Sequence, residues 1–394
     1  MKYNFSKLTN RFNTNSLKWD VNDNELPMWV ADMDFETAPE IREAIRKKVD
    51  FGIYGYTIIP DEYYLSISNW WERRHNFKIE KEWILFCTGV VAAISSIVRK
   101  MTREGDNVLV QAPVYNIFYN SIVNNNRKVL SSDLCFDGKE YSIDFEDLER
   151  KLSDPATTLM ILCNPHNPIG KVWSKETLKK IGELCIKYSV LVVSDEIHCD
   201  LTYGNSYIPF ASISPEIAQN SITCIAPTKT FNLAGVQASN IIVLNDEIRK
   251  MVNRGINTDE VAEPNAFAIE ATIAAFTKGE PWLNELIEYL AENKRVVQEF
   301  IYNELPSLNI IHSDATYLLW IDCSSITKDS LDFCKFIRKE TGLYVSSGHV
   351  YGSNGGHFIR MNIASQRERV EDGLSRLKVG VDKYIDRNII GNLW

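Results

Sequence analysis

Short apolar runs without polar alternation recur through the middle of this 394-residue chain, and they constrain its fold more than any other feature. A run that is apolar at nearly every position is typical of a strand covered on both faces, as in a parallel sheet. Helix-like stretches lie between the runs, such as residues 174–188 with Ser174 as N-cap, so the pattern predicts an α/β fold with a mostly parallel sheet between helices. The runs are WILFC (83–87), NVLVQ (107–111), TTLMILC (157–163), VLVVS (190–194) and SITCIA (221–226).

The texture of the sequence changes after about residue 285. A long helix-like stretch over 283–305 leads to three further strand candidates, which predict a second, smaller α+β domain. We therefore expect a large domain over residues 45–285 and a small domain formed by residues 1–44 and 286–394. The three strand candidates are YLLWIDC (317–323), LYVSS (343–347) and HFIRMNIA (357–364).

Composition and charge exclude several classes of function. The net charge of −9 and the lack of a basic cluster argue against a nucleic-acid partner. No apolar run approaches the roughly 18 residues of a membrane span, and the N-terminus lacks the apolar core of a signal peptide. The eight cysteines form neither a CxxC pair nor a Cys/His cluster with metal-ligand spacing. We expect a reduced, cytoplasmic protein without a metal.

The residues that directly follow each run are the candidates for a binding site. In an open parallel sheet, ligands bind at the carboxyl ends of the strands. The five ends offer a glycine turn, a tyrosine, an asparagine, an aspartate and a lysine, which together predict a site. In chain order these residues are Gly89, Tyr115, Asn167, Asp195 and Lys229.

Lys229 in the stretch PTKT is the candidate nucleophile. A lysine that is removed from water favours its neutral amine, which is the form needed for a Schiff base. The following Leu233, Ala234 and Gly235 suggest that the chain packs closely there. The structural alternative is an ordinary surface lysine in a loop.

Asp195 and His198 follow the fourth run. An aspartate at this strand end could hold the protonated ring nitrogen of pyridoxal 5'-phosphate (PLP), which keeps the ring able to accept electrons. It could equally cap the next helix. His198 lies three residues on, either beside the ring edge or packed in the core.

Two further strand ends suit an amide and a phosphate. Pro165 and Pro168 stiffen the backbone around Asn167, so its amide could reach a cofactor's phenolic oxygen and a substrate carboxylate. An ordinary loop is the alternative. Gly89, followed by Val90 and Val91, opens a helix directly after a strand, and the free amides of a helix N-terminus suit a phosphate.

Tyr115 and Arg360 are the remaining candidates. Tyr115 could stack on a flat ring or belong to the core. In HFIRMNIA, Phe358, Arg360 and Asn362 share one strand face, and an arginine there could clamp a carboxylate through two hydrogen bonds. The alternative is an exposed strand face.

Taken in chain order, these candidate residues resemble those of the class I/II aminotransferase superfamily, the fold-type I PLP enzymes. The resemblance covers nearly the whole chain. Longer stretches are similar to the MalY/PatB-like subgroup of C–S β-lyases, and the run CNPHNPIGKVW is the most specific of them. The stretches are PMWVADMDF (27–35), YGYT (54–57), CNPHNPIGKVW (163–173), SDEIHCDL (194–201), PTKTFNLAG (227–235) and ATYLLWID (315–322).

By matched position, the resemblance implies a role for each candidate around PLP. Lys229 would hold the cofactor covalently and shuttle the substrate's Cα proton, and Asp195 would pair with the ring nitrogen. Asn167 would contact the phenolic oxygen, Tyr115 would stack on the ring, and His198 would lie at its edge.

The resemblance also implies how phosphate and substrate are bound. The backbone at Val90 and Val91, with Thr228, would contact the phosphate. Tyr56 would reach the phosphate of a neighbouring subunit and border the substrate, which implies a homodimer with shared active sites.

Arg360 would bind the substrate's α-carboxylate with help from Asn167, and residues 28–32, including Ala31, would border the substrate pocket. Two positions depart from the wider superfamily. Gln237 stands where many members have a phosphate-binding arginine, and His198 replaces a tyrosine.

The expected reaction is β-elimination from cystathionine or a related cysteine S-conjugate, which gives a thiol, pyruvate and ammonia. An aminotransferase is the alternative, because it would use the same residues. A non-catalytic regulatory protein on this fold is a third class, but the presence of both Lys229 and Asp195 argues against it. An NAD-dependent dehydrogenase is disfavoured, because no GxGxxG motif follows a predicted strand.

Overall fold

The computed structural model describes residues 2–204 and 207–391. Its strands form a seven-stranded sheet, a four-stranded sheet and two small two-stranded sheets. They are β1 (Leu26–Pro27), β2 (Ile84–Cys87), β3 (Asn107–Val110), β4 (Lys128–Ser131), β5 (Cys135–Phe136), β6 (Tyr141–Ser142), β7 (Thr157–Cys163), β8 (Leu191–Asp195), β9 (Ser221–Ile225), β10 (Ser239–Ile242), β11 (Asn309–Ile310), β12 (Leu318–Asp322), β13 (Leu343–Tyr344), β14 (Ser346–Ser347) and β15 (Phe358–Asn362).

Helices pack on both faces of the seven-stranded sheet. Within residues 2–204 and 207–391, none of the α-helices is long and apolar enough to cross a membrane. They are α1 (Pro39–Phe51), α2 (Asp61–His75), α3 (Val90–Met101), α4 (Ile117–Val123), α5 (Phe145–Leu152), α6 (Lys175–Lys187), α7 (Pro215–Gln219), α8 (Pro227–Thr230), α9 (Asp246–Thr258), α10 (Ala268–Lys278), α11 (Glu280–Glu304), α12 (Ser330–Thr341) and α13 (Arg367–Gly391).

The seven-stranded sheet has the order β2-β10-β9-β8-β7-β3-β4. Strands β9, β8, β7, β3 and β4 are parallel neighbours, whereas β10 is antiparallel to both β2 and β9. The predicted α/β fold with a mostly parallel sheet is therefore confirmed. Because β2, β3, β7, β8 and β9 run in one direction, their carboxyl ends meet at one edge of the sheet.

Burial on both faces explains why these strands read as continuous apolar runs. Leu159 and Ile161 of β7 join the apolar cluster on one face with α3, α4 and α9. Met160 and Leu162 join the cluster on the other face with α5, α6 and α7. These six helices bury apolar side chains against the sheet. Helix α6 starts where the Ser174 hydroxyl accepts the Thr177 N–H at 3.2 Å, as predicted.

Each of the five predicted runs is a strand of this sheet, with ends within one residue of the prediction. Two strands were not predicted, because neither is a continuous apolar run. Strand β4 lies at the sheet edge and is partly exposed. Strand β10 is buried but contains polar residues, and its Asn240 side chain accepts a hydrogen bond from the Tyr63 hydroxyl at 2.8 Å.

The four-stranded sheet has the order β11-β12-β15-β14, and its pairs are antiparallel. The prediction of one strand over 343–347 is wrong. The chain changes partner there, because β13 pairs in parallel with β1, whereas Ser346 of β14 pairs with Arg360 of β15. This change brings the N-terminal segment after β1 alongside Arg360.

Candidate active site

A cavity of about 500 Å³ lies at the carboxyl edge of the seven-stranded sheet. Most of the candidates from the strand ends line it, together with Ala31 from the N-terminal segment. Arg360 and Tyr56 do not line it. The lining residues are Ala31, Thr88, Gly89, Val90, Val91, Ala92, Ser95, Tyr115, Cys163, Asn167, Asp195, Ile197, His198, Thr228, Lys229, Ala234 and Gln237.

Lys229 projects into the cavity from the single turn of α8, directly after β9. Its Nζ donates a hydrogen bond to the main-chain carbonyl of Ala31 at 2.6 Å. Burial lowers the pKa of Lys229 to about 8, and the positive charge of Arg360 adds to this effect. The Lys229 side chain is partly buried, and it lies in α8 at the cavity rather than in a surface loop. The lowered pKa brings the amine closer to its neutral form at physiological pH than that of an ordinary lysine.

The close packing expected at Gly235 is absent. A Cβ placed on this glycine would meet no atom within 4 Å, and the residue is exposed. The environment of Lys229 instead comes from the N-terminal segment, which covers it through Ala31.

Asp195 ends β8 and is buried at the cavity wall. Burial raises the pKa of its carboxyl to about 7, and the nearby charge of Lys229 offsets this rise only in part. One carboxylate oxygen accepts the Ile197 N–H at 3.1 Å, within a turn rather than at the start of a helix. A buried carboxyl in this position favours a cationic partner from a ligand.

Asn167 and Arg360 are in direct contact. The Arg360 guanidinium donates from Nη1 to Asn167 Oδ1 at 3.2 Å and from Nη2 to the Trp29 carbonyl at 2.9 Å. Its plane lies over the Tyr351 ring, 4.9 Å from the centroid. Its buried Nε has no partner within the described part of the chain. Arg360 is therefore buried beside the cavity, and the exposed-face alternative is wrong.

The first turn of α3 lies at the cavity. Gly89 is the N-cap, and Val90 and Val91 begin the helix, so their N–H groups have no acceptor within the helix. Thr228 is buried nearby in the lining, and Gln237 contributes a neutral amide side chain rather than a guanidinium. An anion here would be bound by oriented N–H groups and by the helix dipole.

His198 and Tyr115 complete the lining. Burial and the charges of Lys229 and Arg360 lower the pKa of His198 to about 3, so its ring is neutral at physiological pH. Its Nδ1 is buried and has no partner among residues 2–204 and 207–391, so it is free to contact a ligand. Tyr115 is partly buried, and burial raises the pKa of its phenol to about 12.

Tyr56 is remote from this arrangement within a single chain. It is fully exposed, in a segment after α1 that also exposes Ile53, Tyr54 and Ile58. The structure brings together every other predicted site residue, either in the cavity lining or, for Arg360, against it.

The resemblance places residues 28–32, which we call the rim segment, at the substrate pocket, but it does not show how this segment contacts the site. Its contacts are made by main-chain carbonyls, which carry no sequence signal. Ala31 O also accepts the Tyr317 hydroxyl at 3.0 Å, and Asn362 Nδ2 donates to Val30 O and Asp32 O at 2.5 and 2.7 Å. The one available signal was the shared strand face of Arg360 and Asn362.

The fold agrees with the comparisons with known proteins. The family model for aminotransferase class I and II matches residues 18–377. The chain belongs to this family.

Relatives in the family resemble the chain over almost their whole length. It is 43% identical over 386 residues to cystathionine β-lyase PatB of Bacillus subtilis (strain 168). The aligned region covers 96% of this chain and 100% of PatB. Cystalysin from Treponema denticola, solved with PLP, superposes with a TM-score of 0.94 at 32% identity, covering 97% of this chain and 100% of cystalysin. The PLP-bound C–S lyase from Staphylococcus hominis superposes with a TM-score of 0.91 at 34% identity. The match covers 96% of this chain and 98% of the lyase.

Proposed function

We propose that this protein is a PLP-dependent C–S β-lyase, which cleaves cystathionine or a related cysteine S-conjugate to a thiol, pyruvate and ammonia. The observation that carries the proposal is a single cavity that joins a lysine of lowered pKa, a buried aspartate and a helix N-terminus. This cavity occurs in a chain 43% identical to a cystathionine β-lyase.

The residues of the cavity fit PLP in charge and in chemistry. Asp195 offers a buried carboxylate to the pyridine N–H, and its raised pKa marks the need for such a cation. Asn167 and His198 would lie at the ring's polar edge and Tyr115 against its face. The N–H groups of Val90 and Val91, with Gly89 and Thr228, would hold the phosphate.

Lys229 would bind the cofactor covalently at rest and would act as the base once the amino group of the substrate has displaced it. When bound, PLP supplies an electron sink for the carbanion at the substrate's Cα. The Lys229 amine takes the Cα proton, and the electron pair of that bond expels the thiolate from Cβ. A pKa near 8 suits this task, because the neutral amine and its conjugate acid are both accessible near neutral pH. The remaining three-carbon fragment gives pyruvate and ammonia on hydrolysis.

Arg360 would bind the α-carboxylate of the substrate, with Asn167 beside it. The contact between Arg360 Nη1 and Asn167 Oδ1 fixes the guanidinium at the cavity edge, and the free Nε is one available donor. Paired N–H groups on a planar carboxylate fix its orientation as well as its position. The Cα–H bond is then held near the Lys229 amine.

The protein would act as a homodimer in the cytoplasm. The exposed apolar side chains at Ile53, Tyr54, Tyr56 and Ile58 support an interface with a second copy, in which the partner's Tyr56 would complete the phosphate and substrate site. All eight cysteines are free thiols, which suits a reducing compartment. We retain a large domain over residues 45–285 and a small domain over residues 1–44 and 286–394 as part of this proposal.

An aminotransferase is the second candidate, because the whole family carries that name and the same residues would serve it. The two reactions share the loss of the Cα proton and differ in what the carbanion does next. A thiolate at Cβ is a good leaving group, so elimination competes well with reprotonation.

The decisive experiment supplies cystathionine to the PLP-loaded protein with and without a keto acid and measures pyruvate. A lyase forms many equivalents of pyruvate per site without a keto acid, and a Lys229→Ala variant forms essentially none. If product stops at about one equivalent per site and resumes only when a keto acid is added, the protein is an aminotransferase.

A further inference from the structure

The rim segment is held to the cavity through its main chain. Trp29 O accepts from Arg360 Nη2 at 2.9 Å and from the Ser346 hydroxyl at 3.2 Å. Ala31 O accepts from Lys229 Nζ at 2.6 Å and from the Tyr317 hydroxyl at 3.0 Å. Two of these four donors belong to residues that bind cofactor and substrate in the proposed function.

Asn362 holds the same segment without facing the cavity. The side-chain nitrogen, Nδ2, donates to Val30 O at 2.5 Å and to Asp32 O at 2.7 Å. The side-chain oxygen, Oδ1, accepts the Ala364 N–H at 2.7 Å. The side chain is buried, so these groups have no solvent to replace a lost partner. The Asn362 N–H also donates to Met28 O at 2.8 Å.

The two kinds of anchor differ during the reaction. Lys229 must leave Ala31 O to hold the cofactor and take a proton, and Arg360 must direct donors to a carboxylate. Asn362 has no ligand to bind, so its two hydrogen bonds to the rim segment persist. It lies two residues from Arg360 on the same face of β15, so it ties the segment to the strand that carries the carboxylate-binding arginine.

We propose that Asn362 is a positioning residue for the substrate-carboxylate subsite. It keeps the rim segment in place so that Trp29 O aims the Arg360 guanidinium while Lys229 and Arg360 exchange partners. The inference rests on the proposed function for the identity of the ligand, but the hold on the rim segment is a property of the protein alone.

The chain contains a matched control in Asn293 on α11. Its amide nitrogen donates to Ile363 O and Ser365 O, both at 2.9 Å, and the side chain is equally buried. It therefore repeats the chemistry of Asn362, one amide on two carbonyls two residues apart, but it does not touch the rim segment. It also holds the residues that directly follow Asn362, so a general loosening of this region would appear in both variants.

The test compares Asn362→Ala with Asn293→Ala in the PLP-loaded protein by two readouts. The first is hydrogen exchange of the amides of residues 28–34 without substrate, and the second is the separate measurement of KM and kcat for cystathionine. In Asn362→Ala we expect exchange of this segment to accelerate about tenfold or more and KM to rise by a similar factor, with a smaller change in kcat. Asn293→Ala should leave both at the wild-type value.

If Asn362→Ala does not fold, Asn362→Thr replaces it, because threonine suits a strand and its hydroxyl is too short to reach both carbonyls. Exchange of residues 28–34 at the wild-type rate, or an unchanged KM, would overturn the proposal, as would equal effects in the Asn293 variant. A wild-type protein that forms no pyruvate would refute the proposed function alone, since the exchange comparison needs no substrate.

Discussion

The two sides of the cavity are built on different principles. One side consists of side chains at the carboxyl ends of buried strands, including Asp195, Lys229 and Asn167. The other is the rim segment, which contacts Arg360 and Lys229 through main-chain carbonyls. In the proposed function, the strand-end side would supply the groups that react or hold charge, whereas the rim side would fix where the reacting molecule lies. Damage to the first should therefore appear in the rate, and damage to the second in binding.

The two sides also differ in how well their polar groups are satisfied. Burial moves the pKa of Asp195 up to about 7 and that of Lys229 down to about 8, so the strand-end side disfavours both charges until a ligand enters. On the rim side, the carbonyls of residues 29–32 each accept at least one hydrogen bond. The strand-end side thus holds two groups whose charged forms are disfavoured, whereas the carbonyls of the rim segment are paired.

The largest expected effect is the loss of turnover in Asp195→Asn. The uncharged amide cannot stabilise a protonated ring nitrogen, so we predict that kcat falls by roughly 10²–10³ or more while the cofactor still binds. The matched control is Glu196→Gln. Glu196 is buried next to Asp195 and also has a pKa raised to about 7, but its carboxylate accepts from Ser194, Tyr207 and the Phe210 N–H, away from the cavity lining. The Glu196→Gln variant should keep most of the wild-type activity. A fully active Asp195→Asn variant would mean that the carboxylate only stabilises the turn, by accepting the Ile197 N–H.

The same substitution should stabilise the protein once the cofactor is removed. Because the folded pKa of Asp195 is above its unfolded value of 3.8, its stabilising contribution is complete below about pH 4 and is lost as the pH rises to about 7. We predict that the free energy of unfolding of Asp195→Asn, relative to that of the wild type, increases by about 1.4 kcal/mol for each pH unit across this window.

Urea unfolding of the two cofactor-free proteins at several pH values measures this gain. With PLP bound, a cationic ring nitrogen would pair with the carboxylate and remove the advantage. A difference in stability that does not change with pH would contradict the assignment of the raised pKa to Asp195.

Arg360→Lys should weaken the binding of substrate and leave the binding of the cofactor unchanged. An ammonium cannot reproduce the paired donors of a guanidinium, so we predict that KM for cystathionine rises about tenfold to a hundredfold with the cofactor content unchanged. The control is Arg338→Lys, because Arg338 binds both carboxylate oxygens of Glu25 at 2.5 and 3.0 Å outside the cavity. Loss of PLP from the Arg360 variant would instead mean that this residue helps to bind the cofactor.

The smallest effect is expected from Tyr317→Phe, which removes one donor from Ala31 O. The carbonyl is then left to the Lys229 ammonium alone, which stabilises the charged form and raises the pKa of Lys229. In the cofactor-free protein, where Lys229 contacts Ala31 O, we predict that titration finds the pKa of Lys229 moved upward by less than about one unit. We expect kcat of the PLP-loaded protein to fall only several-fold. Tyr203→Phe is the control, because the Tyr203 hydroxyl has no partner within the described residues. A downward shift of the pKa of Lys229 in the cofactor-free protein would contradict this role for Ala31 O.

The difference between the two sides also explains what could be predicted from the sequence. Asp195 and Lys229 follow continuous apolar runs, so the parallel sheet and the residues at its carboxyl edge could be inferred together. The resemblance implied that residues 28–32 border the substrate pocket, but the contacts of this rim segment could not be inferred, because carbonyls belong to every residue and β1 contains only Leu26 and Pro27. The change of partner at residues 343–347 was missed for a similar reason, since strand pairing is not visible in a single apolar run.

Lys229 is where the two sides meet, since its Nζ belongs to the strand-end side and is held by the rim segment through Ala31 O. Borohydride treatment of the PLP-loaded protein, followed by peptide mapping, tests directly whether this lysine carries the cofactor. We predict that the reduced cofactor is found on the peptide that contains Lys229 and that it is absent from a Lys229→Ala variant. A labelled peptide elsewhere in the chain, or a cofactor that washes out after reduction, would contradict the assignment of this cavity as the active site.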